Sequence, residues 1–164
     1  MFARLGPAQP SQGADVIVRA VGALALAALA VIHVVDLPGT LGLTPLVGAG
    51  YLGIIAAAVL TGGAMITRSH WLAWAAAGAV AASAMGGYVL TRAVPGGFLG
   101  DHADVGNWRC PLGIAALSVE AILILLVVLT ACQARARAAA RVAPQLRPEP
   151  LRRRTPEYSH GHSG

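Results

Sequence analysis

The sequence predicts an all-α integral membrane protein: a four-helix bundle followed by an arginine- and proline-rich tail. Composition is the first ground. Of 164 residues, 56% are hydrophobic and only 12% charged, with a mean hydropathy of +0.66, whereas a soluble domain carries about 25% charged residues to cover its surface. The second ground is four apolar runs of the length that a hydrocarbon core of about 30 Å requires, about 20 residues each. The third is the placement of charge, because all twelve basic residues are arginine and seven of them follow the last run.

Residues 1–15 form a short leading segment, and the first span covers about residues 16–35. Only Arg19, near its start, and His33, near its end, interrupt it, and Asp36-Leu37-Pro38-Gly39 reads as its stop. Ala-Leu-Ala at 23–25 and 28–30 resembles a signal-peptide cleavage site, but the apolar stretch continues past both through Val31, Ile32, Val34 and Val35, which suits a retained anchor. The second span, about 43–66, has no formal charge. The turn Thr67-Arg68-Ser69-His70 joins it to the third, about 71–91, which closes at Arg92 and Pro95-Gly96-Gly97. The fourth starts at Pro111, as suits proline at a helix start, and runs to about Cys132 with Glu120 as its one charge.

Orientation follows from arginine, since retained cytoplasmic loops carry the excess of positive charge. The segment 133–164 holds Arg135, Arg137, Arg141, Arg147, Arg152, Arg153 and Arg154 against Glu149 and Glu157, so seven minus two gives +5. Four spans then put both termini in the cytoplasm, with the Arg68 turn inside and Asp36, Asp101 and Asp104 outside. The tail's first part, Ala-rich with three arginines, extends the fourth helix. The rest, with Pro144, Pro148, Pro150 and Pro156, has the composition of a disordered segment. Its arginines are drawn to anionic lipid headgroups at about 1 kcal/mol each. Nucleic acid is not an expected partner, since no aromatic residues interleave the arginines. His160 and His162 alone make a weak metal motif.

Membrane helices pack through small residues. The expected packing rows are Gly78, Ala82, Gly86 and Ala79, Ser83, Gly87 on the third span, with Gly48 to Gly53 and Gly62-Gly63 on the second. Leu123 to Leu129 is expected to meet lipid. Trp71 and Trp74 on one side, and Trp108 on the other, suit interfacial anchors.

Charge inside a bilayer costs at least about 2.5 to 3.5 kcal/mol on insertion scales, so Glu120 calls for a partner or a role. His33 and Asp36 (i, i+3) share a face of the first span, and Tyr88 and Arg92 (i, i+4) share one of the third. Side chains lean toward the N-terminus of their helix, so His33, Tyr88 and Arg92 lean inward from the outer half while Glu120 leans outward toward them. Arg92 sits higher and is expected to pair with Asp36 or Asp104. Three readings stay open. The cluster His33, Asp36, Tyr88, Arg92 and Glu120 is a structural intramembrane network in a non-enzymatic membrane component or accessory subunit of another membrane protein. Alternatively it is a binding or transport site for a proton or cation, with His33, Asp36 and Glu120 as candidate ligands to a divalent metal. The third reading is haem or quinone redox chemistry near His33, although a bis-histidine haem needs a second intramembrane histidine that the chain lacks. No cofactor is required by the residues themselves.

The connection from Val94 to Cys110 is the longest between spans. Asp101, His102 and Asp104 are cation-ligand types; equally, the loop reads as an interfacial cap with Trp108 at headgroup level and a turn at Gly106-Asn107. The chain has no nucleophile triad motif, phosphate loop or His-Glu-x-x-His, so it does not read as an enzyme. Cys110 and Cys132 stand about 33 Å apart along one helix and cannot pair.

His33-x-x-Asp36-Leu37-Pro38-Gly39, Gly87-Tyr88-x-Leu90-x-Arg92 and Asp104-x-Gly106-Asn107-Trp108-x-x-Pro111-Leu112-Gly113 followed by Glu120 together resemble a group of small bacterial four-span membrane proteins without an established activity. The resemblance covers about residues 30–125. It implies that the motifs at the outer mouth belong together and that the membrane is the bacterial inner, cytoplasmic one.

Overall fold

The protein is described by a computed structural model covering residues 12–67 and 71–142. Residues 1–11, the turn residues 68–70 and the tail from 143 onward, with His160 and His162, lie outside the described residues. The described chain is all-helical: α1 Gln12–Leu43, α2 Pro45–Thr67, α3 Trp71–Ala93 and α4 Pro111–Val142. Each of the four is long and apolar enough to cross a membrane. The chain divides into two compact units, the second beginning at Ala131. Its described residues, 131–142, are the exposed last turns of α4.

The first helix does not stop at Asp36-Leu37-Pro38-Gly39. It runs through Pro38 to Leu43, because in apolar surroundings a loop leaves several amides without partners while a helix with one proline forfeits a single bond. Threonine hydroxyls supply local support: Thr40 Oγ1 donates to the Asp36 carbonyl at 3.0 Å and Thr44 Oγ1 to the Thr40 carbonyl at 3.2 Å. Only Thr44 then separates α1 from α2. Its N–H reaches the Thr40 carbonyl at 2.8 Å and its own carbonyl receives the Gly48 N–H at 3.0 Å, so the hydrogen-bond ladder crosses the turn. The return is tight enough to demand glycine, since a Cβ at Gly48 would stand 3.0 Å from the Leu41 Cα and closer still to its side chain. Asp36 is thereby held on a helix wall.

All four helices contribute to one core, in which Leu26, Leu29, Ala58, Met65, Ala77, Ala81 and Leu123 are essentially inaccessible. The tight face of α3 is the stripe Ala73, Ala77, Ala81, Ala84 at helical spacing. The expected rows behave otherwise: Ala79, Ala82 and Ser83 are exposed, and Gly86 and Gly87 have open space where a Cβ would stand. Gly78 does pack, with Val127 of α4 at 3.3 Å from its Cβ position, and Gly62 faces Leu26. Alanine wins because its methyl fills the helix interface at no rotamer cost. Leu123 likewise belongs to the core and not to the lipid face, which Leu125, Val128 and Leu129 form. Trp74 packs across Gly22 of α1, whereas Trp71 is exposed. At the same end Arg19 donates to the Met65 carbonyl at 2.8 Å and the Ile66 carbonyl at 2.7 Å, satisfying carbonyls that the end of α2 leaves free.

A Cβ at Gly113 would collide with the Tyr88 ring, while one at Gly50 meets nothing within 4 Å. Gly113→Ala is therefore expected to lower the unfolding free energy in detergent by about 1–3 kcal/mol through overpacking. Gly50→Ala should raise it by about 0.5–1 kcal/mol through helix propensity.

Candidate functional site

Each of the five spanning residues singled out from the sequence lines a single cavity of about 230 Å³ at the end of the bundle where α3 and α4 are joined by residues 94–110. His33 and Asp36 come from α1, Tyr88 and Arg92 from α3, Glu120 from α4. Tyr51, from α2, stands among them.

Arg92 is the best-satisfied group in the site although only 7% exposed. Its Nε donates to the Asn107 carbonyl at 3.1 Å, and Nη1 donates to Thr91 Oγ1 at 2.7 Å and to the Tyr88 carbonyl at 3.4 Å. Nη2 pairs with Asp104 Oδ2 at 3.3 Å. The guanidinium lies 3.7 Å from the centre of the Tyr88 ring, a cation–π contact. Of the two ion-pair partners the sequence allowed, Asp104 is the one used.

Those contacts fix the connecting loop. The Gly106 N–H donates back to the Arg92 carbonyl at 3.0 Å, and Asn107 N–H to the Asp104 carbonyl at 2.9 Å, closing a turn centred on Val105-Gly106, one residue before the expected Gly106-Asn107. Tyr88 Oη donates to the Trp108 carbonyl at 3.1 Å and its ring meets Trp108 edge to face, 6.1 Å between centres. Asp101 is buried and its Oδ1 accepts from the Asp104 N–H at 3.2 Å; burial pushes its carboxyl up from the ordinary range. Four glycines of the loop, at 96, 97, 100 and 106, have positive φ, and a Cβ at Gly97 would meet the Asp101 carbonyl at 2.8 Å. His102 is exposed. The loop residues thus build a folded cap over α3.

The opposite wall is assembled differently. Asp36 accepts from Tyr51 Oη at 3.1 Å. The His33 ring meets Tyr51 edge to face at 4.8 Å, and its Nδ1 lies 2.9 Å from the Leu29 carbonyl. A carbonyl only accepts, so Nδ1 carries the hydrogen, and in the neutral form of the ring Nε2 is then an acceptor. Glu120 is 1% exposed, and its Oε2 has no hydrogen-bond partner. His33, Asp36 and Glu120 line the same cavity without converging on a point: among the described residues, no three His, Cys, Asp or Glu side chains stand close enough to hold a metal ion.

Sequence reasoning did not single out Tyr51, Thr91 or the cavity position of Cys110. Tyr51 carried a usable signal, being a phenol inside an otherwise apolar span that needs a polar partner for its hydroxyl. Thr91 and Cys110 carried none, since their roles depend on where Arg92 and the loop fall.

Fold and site together define a multi-pass helical membrane protein with, at one end, a largely apolar cavity into which a few polar side chains are set. No family model, curated protein or solved structure matches the chain.

Removing the Asp104 charge is expected to loosen the cap and leave the core intact. With Asp104 about a third exposed, Asp104→Asn should cost about 1 kcal/mol locally. Hydrogen exchange of the amides at 96–108 should then accelerate roughly fivefold, while those of Leu26 and Ala77 stay unchanged.

Proposed function

We propose that this protein is a non-enzymatic binding module of the membrane, whose site is the cavity around Glu120 and whose ligand carries positive charge, as a cation or a proton. The observation that carries this reading is the Glu120 Oε2 atom, buried and unpartnered at the wall of a cavity. A purely structural network pairs its members, as Arg92 does; a lone carboxyl oxygen in an apolar wall is completed by a ligand. The polar cluster thus splits into a structural half around Arg92 and a receptive half around Glu120.

The arginine distribution supports both termini in the cytoplasm, which turns the cavity toward the outer face of the bacterial inner membrane. Seven arginines in the last 32 residues support attachment of the tail to anionic lipid headgroups. A second membrane subunit as partner is compatible with the exposed apolar faces of the helices but is not needed by the site.

The test is thermal unfolding of the full chain in lipid nanodiscs against monovalent, divalent and organic cations and across pH. A ligand present at about a hundred times its Kd adds about 2.7 kcal/mol. Stabilisation of the wild type that is absent from Glu120→Gln is the expected result; identical responses of the two proteins across the whole panel would contradict the reading.

A further inference from the structure

We propose that the ligand is an organic ammonium ion with a small apolar body, which enters from the lipid between α2 and α3 and sets its charge against Glu120. The proposal rests on the binding-module reading and names the ligand class.

Hydrogen-bond bookkeeping in the cavity decides the sign of the ligand. Its strong donors are committed within the protein: Tyr51 to Asp36, Tyr88 to the Trp108 carbonyl, Thr91 to the Gly87 carbonyl and Arg92 to Asn107, Thr91 and Asp104. With Glu120 ionised and the His33 ring neutral, what remains are acceptors: Glu120 Oε2 without a partner, the second lone pairs of Asp36, and His33 Nε2. Ser83 and Cys110 also line the cavity, and each accepts as readily as it donates. A quinone or another carbonyl compound presents acceptors and would face acceptors. An ammonium presents charge and donors, or a charged methyl surface, to groups that lack them. Arg92 does not repel it, because its charge is matched by Asp104 and covered by the Tyr88 face.

Size and wall chemistry exclude a bare inorganic ion as the best fit. The space is about 230 Å³, whereas one water needs only about 10–15 Å³. Most of the wall is apolar, including Ile54, Val47 and Ala116, and a cation is drawn to the π face of an aromatic ring such as that of Tyr51, which also lines the space. No three metal-ligating side chains meet among the described residues. The entry follows from exposure: Leu46 and Gly50 of α2 and Ser83 of α3 line the cavity and are exposed on the side of the bundle, where a spanning protein meets acyl chains. An apolar body reaches the cavity by that route and a hydrated metal ion does not.

The experiment is binding of radiolabelled benzyltrimethylammonium to the full chain in nanodiscs, with neopentylbenzene, its neutral isostere, and benzylsulfonate as competitors. Two variants accompany the wild type. Glu120→Gln removes the charge, and Gly87→Leu fills the cavity from a position where a Cβ meets no neighbour within 4 Å, so it keeps the test decisive if Glu120→Gln does not fold. Saturable binding to the wild type, weakened by at least about tenfold in the variants and displaced by unlabelled cation but by neither competitor, is expected. Displacement by the neutral isostere as effective as by the cation would overturn the ammonium class. Binding undiminished in both variants would overturn the site. Absence of binding alongside Glu120-dependent stabilisation by metal ions or protons would overturn the ammonium class and leave the binding module standing; absence of both would remove both.

Discussion

Arg92 brings a permanent positive charge to the buried end of α3, and the architecture of the polar end depends on how that charge is met. A guanidinium in a dry environment needs a counter-charge and acceptors for its fork of donors, or it is strongly destabilising. The chain supplies them from the following loop: the Asn107 carbonyl, the Asp104 carboxylate and, from its own helix, Thr91 and the Tyr88 ring. Because two of these partners lie in the loop, satisfying Arg92 also folds the loop. The loop in turn delivers Pro111 and α4, so the position of Glu120 is inherited from Arg92. Gly113, on the first turn of α4, is what lets that helix come down against Tyr88.

Glu120 is the complement of this arrangement. One ionisable residue divides its hydrogen bonds between its own helix and the cap, while the other has a carboxyl oxygen without a partner at the cavity wall. Polar groups in a low-dielectric interior are worth most when fully satisfied and cost most when they are not. The same cavity is thus lined by a satisfied arginine on α3 and an unsatisfied carboxyl on α4, and the proposed function assigns the first to structure and the second to the ligand. Tyr51 belongs to the same logic: its hydroxyl occupies one acceptor of Asp36 and its ring stands edge to face with His33. Both acidic groups and the imidazole present acceptors to the same space.

Much of this was legible in the sequence, for reasons specific to membranes. Four spans follow from length and hydropathy because lipid removes the alternatives to helix. Helix periodicity, side-chain lean and the arginine distribution grouped His33, Asp36, Tyr88, Arg92 and Glu120 as one polar cluster, but not the cavity that all five line. Three further features were not legible. Proline and glycine after Asp36 read as a stop, yet a solvent without hydrogen bonds carries the helix on to Leu43, which a rule drawn from water-soluble helices misses. The packing face of α3 was assigned to the rows Gly78, Ala82, Gly86 and Ala79, Ser83, Gly87 and falls mainly to Ala73, Ala77, Ala81 and Ala84, because a small-residue motif marks where helices can approach and not where they do. Arg92's choice of Asp104 over Asp36 depended on the path of a 17-residue loop, and its glycines at 96, 97, 100 and 106 announce turns without giving their direction.

On the proposed reading, Arg92 is neutralised by its cap and the cavity is left an acceptor-rich, negatively charged space. Cys110, a free thiol on the cavity wall, reports on it directly. In a Cys132→Ser background, the modification rates of Cys110 by a cationic and an anionic methanethiosulfonate of similar size can be compared, each divided by its rate with a free small thiol. Faster reaction with the cationic reagent is expected, with the preference lost in Glu120→Gln and reversed in Asp104→Asn, where the Arg92 charge is released. Equal rates, or a preference for the anionic reagent in the wild type, would contradict the claim.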